Sequence, residues 1–383
     1  MDSNIPVKKE LLIWAYNRSV EREKLHKKFK FLDKWLVGEK QPTFKQLNDF
    51  AAATATPLGY FFLLEPPVEV LPIPHYRTLE DVGNERVSPD LMETLHIMQR
   101  RQDFMRDYYE QYVGTELEFV GSYEGSNSSL LAKSILALLE IDQGWANRYR
   151  TFHDALRFLI TKCEEKRITV MQNGIVGLNT HRALNVAEFR GFVLVDNMAP
   201  LIFINAADTK SAQIFTLVHE IAHILIGSSA VVEASPINAQ SADVERLCNA
   251  AAAEMLCPGK LFLSKWQIHY PDGAAYETLS GIFKVSPIVI GRRALELKCI
   301  DKEEFMAFYN YYLEKLKNEQ LRPRRTGGEF YNTTISRLGR NFTNAVIYQA
   351  VTGNIQYTEA FKLTGLRNKT FNNLVSLVRE RGV

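Results

Sequence analysis

The sequence contains no apolar run approaching the roughly 18 residues that a membrane-spanning helix requires, and MDSNIPVKKE at its start carries no signal-peptide h-region. These two absences argue against a helical membrane protein and against export. Cysteine is scarce. Cys163, Cys248, Cys257 and Cys299 are scattered without a CxxC pair, which excludes a disulfide framework and leaves reduced, structural thiols in a cytoplasmic protein as the expectation. Net charge is also small, +2 at neutral pH, and identifies no partner. Repeats and low-complexity tracts are missing too. What remains is a chain of 383 residues, 46% apolar and 23% charged, enough for two or three globular domains with ample core.

Residues 1–66 read as short helices. KKELLIWAYNRS has apolar residues at helical spacing, and GEKQPTFKQLNDFAAAT has a Gly–Pro break before an amphipathic run. EPPVEVLPIPHYRT, 65–78, is too rich in proline to continue a helix and reads as an extended linker. Within 67–260 the first part is helical, carrying the stripe LMETLHIMQRRQDFMRDYYEQYVG. The period then changes: RITVMQNGIVG, FRGFVLVDN and PLIFIN are short, rich in Val, Ile and Phe, and bounded by Asn, Gly and Pro, as strands are. Helical periodicity returns at Ser211 and runs through a third segment, 261–320. RPRRTGG, 322–328, reads as a second linker opening a fourth segment, 321–383. From 317 onward there are eleven Lys or Arg against four Asp or Glu. FTNAVIYQAVTG, YTEAFKLTG and NKTFNNLVSLVRERG predict three short helices, two of them ending at Gly.

The chemistry concentrates in LVHEIAHILIG, 217–227. Residues four apart on a helix share a face, so His219 and His223 can hold one metal ion while Glu220 accepts a proton from water on it. The apolar flanks IFTLV and ILIG predict a buried helix, in which a polar trio needs pairing that a metal supplies. A catalytic zinc needs a third ligand and an open fourth position. In DVERLCNAAAAEMLCPGK, Glu245 and Asn249 again stand four apart. Glu245 can ligate the metal, and Asn249 can hydrogen-bond a ligating histidine and fix its ring. Glu254, nine residues beyond Glu245, faces another side and reads as a surface or helix-supporting carboxylate. Cys248 and Cys257 have Ala and Leu neighbours and read as packed thiols. His26, His75, His96, His153, His181 and His269 have no matching partners nearby in sequence. PLIFIN runs directly toward the HEIAH helix, so Phe203, Ile204 and Asn205 are candidates for an edge strand that pairs with an extended substrate.

FINAADTKSAQIFTLVHEIAHILIG followed by VERLCNAAAAEMLCP resembles the ImmA/IrrE family of metallopeptidases. The family's strand-terminal Asn is matched by Asn205, FTLAHELGH by FTLVHEIAH, and ExEANxFAAxLLMP by Glu245, Asn249, Ala252, Ala253 and Pro258. The resemblance implies zinc held by His219, His223 and Glu245, with Glu220 as general base. Two positions depart from the pattern: Leu247 stands for a Glu and Ala251 for a Phe. Residues from about 8 to 78 look like the Xre-type helix-turn-helix region often fused ahead of this peptidase, and LSGIFKVSPIVIGRRALELKCI resembles the helical segment that follows it. The fold expected is α+β and mostly helical. A small zincin-like sheet packs on the HExxH helix, between flanking all-α helix-turn-helix-like modules.

These features support a cytoplasmic zinc endopeptidase of gluzincin-like HExxH…ExxxN type. The resemblance implies a regulatory protein substrate, such as a transcriptional repressor encoded nearby, in the control of mobile-element, phage or stress-response genes. The competing reading is a non-enzymatic, antitoxin-like regulator that binds DNA or a toxin and uses its metal for structure or sensing. DNA can be met by Lys24, Lys27, Lys28, Lys30 and Lys34, or by Arg322, Arg324, Arg325, Arg337, Arg340, Arg367 and Lys369 of the basic tail. Yet the first fifty residues hold eleven basic against seven acidic residues, only a weak excess. A purely structural zinc is disfavoured, since such sites close with four ligands rich in Cys.

Overall fold

In the computed structural model the described residues are 4–19, 22–67, 88–227, 239–270, 275–320 and 330–380. The proline-rich stretch from 68, with His75, and the RPRRTGG stretch lie outside them.

The N-terminal unit has its own core. Helices α1 (Lys9–Arg18), α2 (Arg22–Lys28), α3 (Leu32–Val37) and α4 (Phe44–Ala53) gather Leu11, Leu12, Trp35, Leu47, Phe50 and Phe61 into one buried cluster. Thr43 starts α4 through a capping box, accepting from the Gln46 amide while the Gln46 side chain accepts from the Thr43 amide. Gly38 ends α3 in the left-handed region.

The rest of the chain is built around a small mixed sheet. Helices α5 (Pro89–Tyr112), α6 (Ser128–Leu139) and α7 (Phe152–Glu165) lead into β1 (Thr169–Asn173), β2 (Ile175–Val176), β3 (Asn179–Ala183), β4 (Gly191–Leu194) and β5 (Leu201–Asn205). The order is β1-β5-β4, with β5 parallel to β1 and antiparallel to β4. Strands at RITV, GFVL and LIFIN follow from their β-branched and aromatic content. The β2–β3 hairpin does not: β3 is polar and mostly exposed. Arg182 anchors it, pairing with Asp90 at 2.7 Å and with Glu93 on α5.

Side chains alternate along β5, and the two sets enter different cores. Ile202 and Ile204, with Val170 and Val193, face α6, α7, α8 (Lys210–Ile226) and α9 (Ala239–Leu256). The same core takes in α10 (Gly259–His269), α11 (Ala275–Phe283) and α12 (Pro287–Glu296) through Phe262, Trp266, Leu279, Phe283 and Ile290. Beyond them runs α13 (Lys302–Gln320). Leu201 and Phe203, with Met171, Phe192 and Leu194, face the other way, onto α5 and the C-terminal helices. These are α14 (Phe330–Leu338), α15 (Arg340–Val351), α16 (Tyr357–Thr364) and α17 (Asn368–Glu380), which contribute Leu338, Phe342, Val346, Phe371 and Leu374.

The protein is thus α+β and mostly helical, with a three-layered central unit. The boundaries expected at 261 and 321 do not separate cores. Helices α10–α12 complete the HExxH side of the sheet, and α14–α17 cover its opposite face. Among the described residues no helix is long and apolar enough to cross a membrane.

Phe342 is fully buried, edge-on to Phe104 with ring centroids 5.7 Å apart. Phe342→Ala should lower stability by about 3–5 kcal/mol in denaturant titration. A chain ending at Gln320 should lose the cooperative transition of the whole sheet. An unchanged midpoint in that truncation would make α14–α17 an independent module.

Candidate metal centre

Helix α8 carries most of the site, and its ends are firmly closed. Thr209 accepts from the Ala212 amide at 3.3 Å as N-cap. At the other end Gly227, at φ 68°, donates to the carbonyls of His223 and Ile224 at 3.0 and 3.1 Å. A second segment seals the last turn: the amides of Gly121 and Tyr123 donate to Ile224 and Leu225 at 3.0 and 2.8 Å. A Cβ on Gly227 would come within 2.6 Å of Gly121 Cα, so Gly227 leaves no room for a side chain, while Gly121 favours glycine through its φ of 68°.

Between those caps everything from Thr216 to Leu225 is buried, His219, Glu220 and His223 included. Three polar groups at such depth need partners. Glu245 supplies one from α9: its carboxylate lies 3.2 Å from His219 Nε2 and 3.0 Å from His223 Nε2, and the two Nε2 atoms are 3.0 Å apart. Burial alone would raise the Glu245 carboxyl. Hydrogen bonds from His219 and then His223 outweigh it and hold the group well below the usual carboxylate range. Burial likewise favours neutral His223, but hydrogen bonds with Cys248 and Glu245 prevail and raise it.

The triangle suits a metal ion. Two imidazole nitrogens and a carboxylate oxygen make a borderline donor set of the kind zinc takes. Tetrahedral ligands at zinc distances stand about 3.3 Å apart, close to the three separations found here. Among the described residues no other His, Cys, Asp or Glu joins this group, so the cluster leaves a coordination position open. Glu220 is not a converging donor. Its carboxylate lies against β4, beside Gly191.

The other sequence candidates distribute as follows. Glu254 bonds Arg293 of α12 and accepts from the Gly259 amide at 3.4 Å, supporting the end of α9. Cys257 and Cys163 are wholly buried, and burial pushes both thiols up. Asn249 stands one turn beyond Glu245 with its Oδ1 buried and unbonded, so the hydrogen bond expected from that oxygen's side chain to a ligating histidine is not one its oxygen makes. Phe203, Ile204 and Asn205 need correction. Strand β5 is the middle strand, paired on both sides and fully buried, so it offers no edge to a substrate. Asn205 instead ties the loop, donating to the Phe189 carbonyl at 3.1 Å and accepting from the Ala207 amide at 3.1 Å.

Two neighbours of the site escaped the sequence reading. Cys248 hydrogen-bonds the His223 ring; its spacing of three from Glu245, on the same helix face, was the available signal. Gly191 is the other, and a glycine inside a strand pattern is the known mark of close backbone approach.

Comparison with known families agrees with this geometry. Residues 163–295 match a peptidase-family model described as the IrrE N-terminal-like domain, and residues 338–376 match one described as a domain of unknown function. The first match spans the sheet and the helices α8 and α9 that carry the triangle, and it supports a metallopeptidase-type function. The second falls on the helices that cover the far face of the sheet. Comparison with curated proteins yields no match.

Glu245→Ala should abolish stoichiometric zinc uptake, read by metal analysis after dialysis. Glu254→Gln should keep the zinc and lose about 1–3 kcal/mol of stability, because Arg293 is almost fully buried. Zinc retained by the first variant, or lost by the second, would reassign the third ligand.

Proposed function

We propose that this chain is a zinc-dependent endopeptidase that cleaves a specific regulatory protein, such as a transcriptional repressor encoded nearby, in the control of mobile-element, phage or stress-response genes. The observation that carries the reading is the convergence of His219, His223 and Glu245 on one point, with Glu220 buried on the same helix and outside the ligand set.

His219, His223 and Glu245 would hold the zinc, which supplies a Lewis acid that acidifies water and polarises a scissile carbonyl. Glu220 takes the proton that water gives up and delivers it to the departing amine. Its burial keeps bulk water from competing for that proton. The strand beside Glu220 is β4, an edge of the sheet among the described residues. In an antiparallel pair alternate residues turn their backbone groups away from the partner. An extended substrate segment pairs there, and not on β5.

The non-enzymatic alternative leaves Glu220 without a task, since a structural or sensory site needs no unligated carboxylate. Sequence-specific DNA reading gains little from the N-terminal unit. The exposed side chains of α3 are Asp33, Lys34 and Val37, a single donor for base edges.

The test is to incubate zinc-loaded protein with the repressor encoded beside its gene and follow cleavage by mass spectrometry. Wild type should cut it at one site, and Glu220→Gln should be slower by on the order of 10²–10⁴. Equal survival of the repressor with both proteins would rule it out as the substrate.

A further inference from the structure

Gly191 opens β4 with a φ in the ordinary extended range, so backbone freedom is not why glycine stands there. Space is the reason. A Cβ at this position would lie 2.5 Å from Thr216 Cγ2 and 2.8 Å from the Phe203 carbonyl oxygen, both inside van der Waals contact. The next atom it would meet, at 3.6 Å, is Oε1 of Glu220. Thr216 and Glu220 are four apart on α8 and so share the face that lies on the sheet. Thr216 is itself buried, in a close-packed interior where its methyl cannot turn out to solvent.

We propose that Gly191 is a positioning residue for Glu220. The missing side chain sets how closely α8 lies under the edge strand, and that depth places the Glu220 carboxylate level with the backbone of β4. The metal ligands respond differently to the same contact. His219 and His223 meet Glu245 on the α9 side of the helix, so their triangle is held by the α8–α9 packing and not by β4. A methyl at 191 therefore separates two properties that a general loss of structure would remove together: zinc binding stays, and the alignment of the base is lost. The proposal rests on the peptidase reading for the role of Glu220, but not for the geometry.

The experiment uses the full chain loaded with zinc and acetohydroxamate as probe, a small zinc chelator that a base carboxylate beside the metal also hydrogen-bonds. Glu220→Gln calibrates that bond and should weaken acetohydroxamate about tenfold. Gly191→Ala should bind zinc within about threefold of wild type in chelator competition, yet lose about as much acetohydroxamate affinity as Glu220→Gln. Adding Thr216→Ala, which removes the methyl the new Cβ meets, should recover part of the loss. The proposal is overturned if Gly191→Ala binds acetohydroxamate like wild type, if zinc and acetohydroxamate are lost together, or if Thr216→Ala restores nothing. If Gly191→Ala does not fold, the double variant decides, and its failure to fold also overturns the proposal. Equal acetohydroxamate binding by wild type and Glu220→Gln would instead sink the peptidase reading. The position of the Glu220 carboxylate in a crystal structure of metal-free Gly191→Ala then settles Gly191: displacement from β4 supports it, an unmoved carboxylate refutes it.

Discussion

Two imidazoles and a carboxylate buried inside an apolar helix are the constraint that the central unit answers to. Helix α8 is surrounded by core on nearly all sides, and each polar group at that depth would be strongly destabilising without a partner. Glu245 resolves the conflict for the two histidines, and it can do so only because α9 packs directly on α8. The alanines of α9 make that approach possible: Ala251 and Ala252 are fully buried and add little bulk between the helix backbones. The Arg293–Glu254 pair then holds the far end of α9 to α12, so the helix that presents the carboxylate is also tied at its C-terminal end.

The sheet serves this arrangement from below. Its three strands are too few to bury two faces on their own, and each face is finished by helices. One layer carries the His219–His223–Glu245 triangle. The other contributes no atom to the site, yet without it Met171, Phe192 and Phe203 would stand in water. The segment described only as a domain of unknown function thereby has a physical role, as the cover of the peptidase sheet. The N-terminal unit stands apart in this respect, having a core of its own.

Much of the centre was legible because its logic is local. HExxH depends on helical spacing alone, and Glu245 could be placed by the same rule once the Ala-rich run was read as a helix. The strands were legible from Val, Ile and Phe content. Strand order was not, since β1-β5-β4 is set by pairings between distant residues, and so β5 was taken for an edge. The β2–β3 hairpin was hidden because ion pairs and not an apolar face hold β3. The C-terminal segments were legible as helices, but where they pack was not, for a related reason. Their exposed faces are basic, and the charge suggested a separate module. The buried stripe of Phe342, Val346, Phe371 and Leu374 is complementary to a sheet face that no local pattern reveals.

That cover has a bearing on how the fold forms. Arg101, wholly buried in α5, donates to the carbonyl of Leu363, 262 residues later in the chain, at 3.0 Å. Contacts of such separation form slowly and only when both ends exist. The sheet face that carries Met171, Phe192 and Phe203 therefore closes only when α5 and α16 have met. The second face of the sheet is thus a product of long-range folding and not of the local run that carries HExxH.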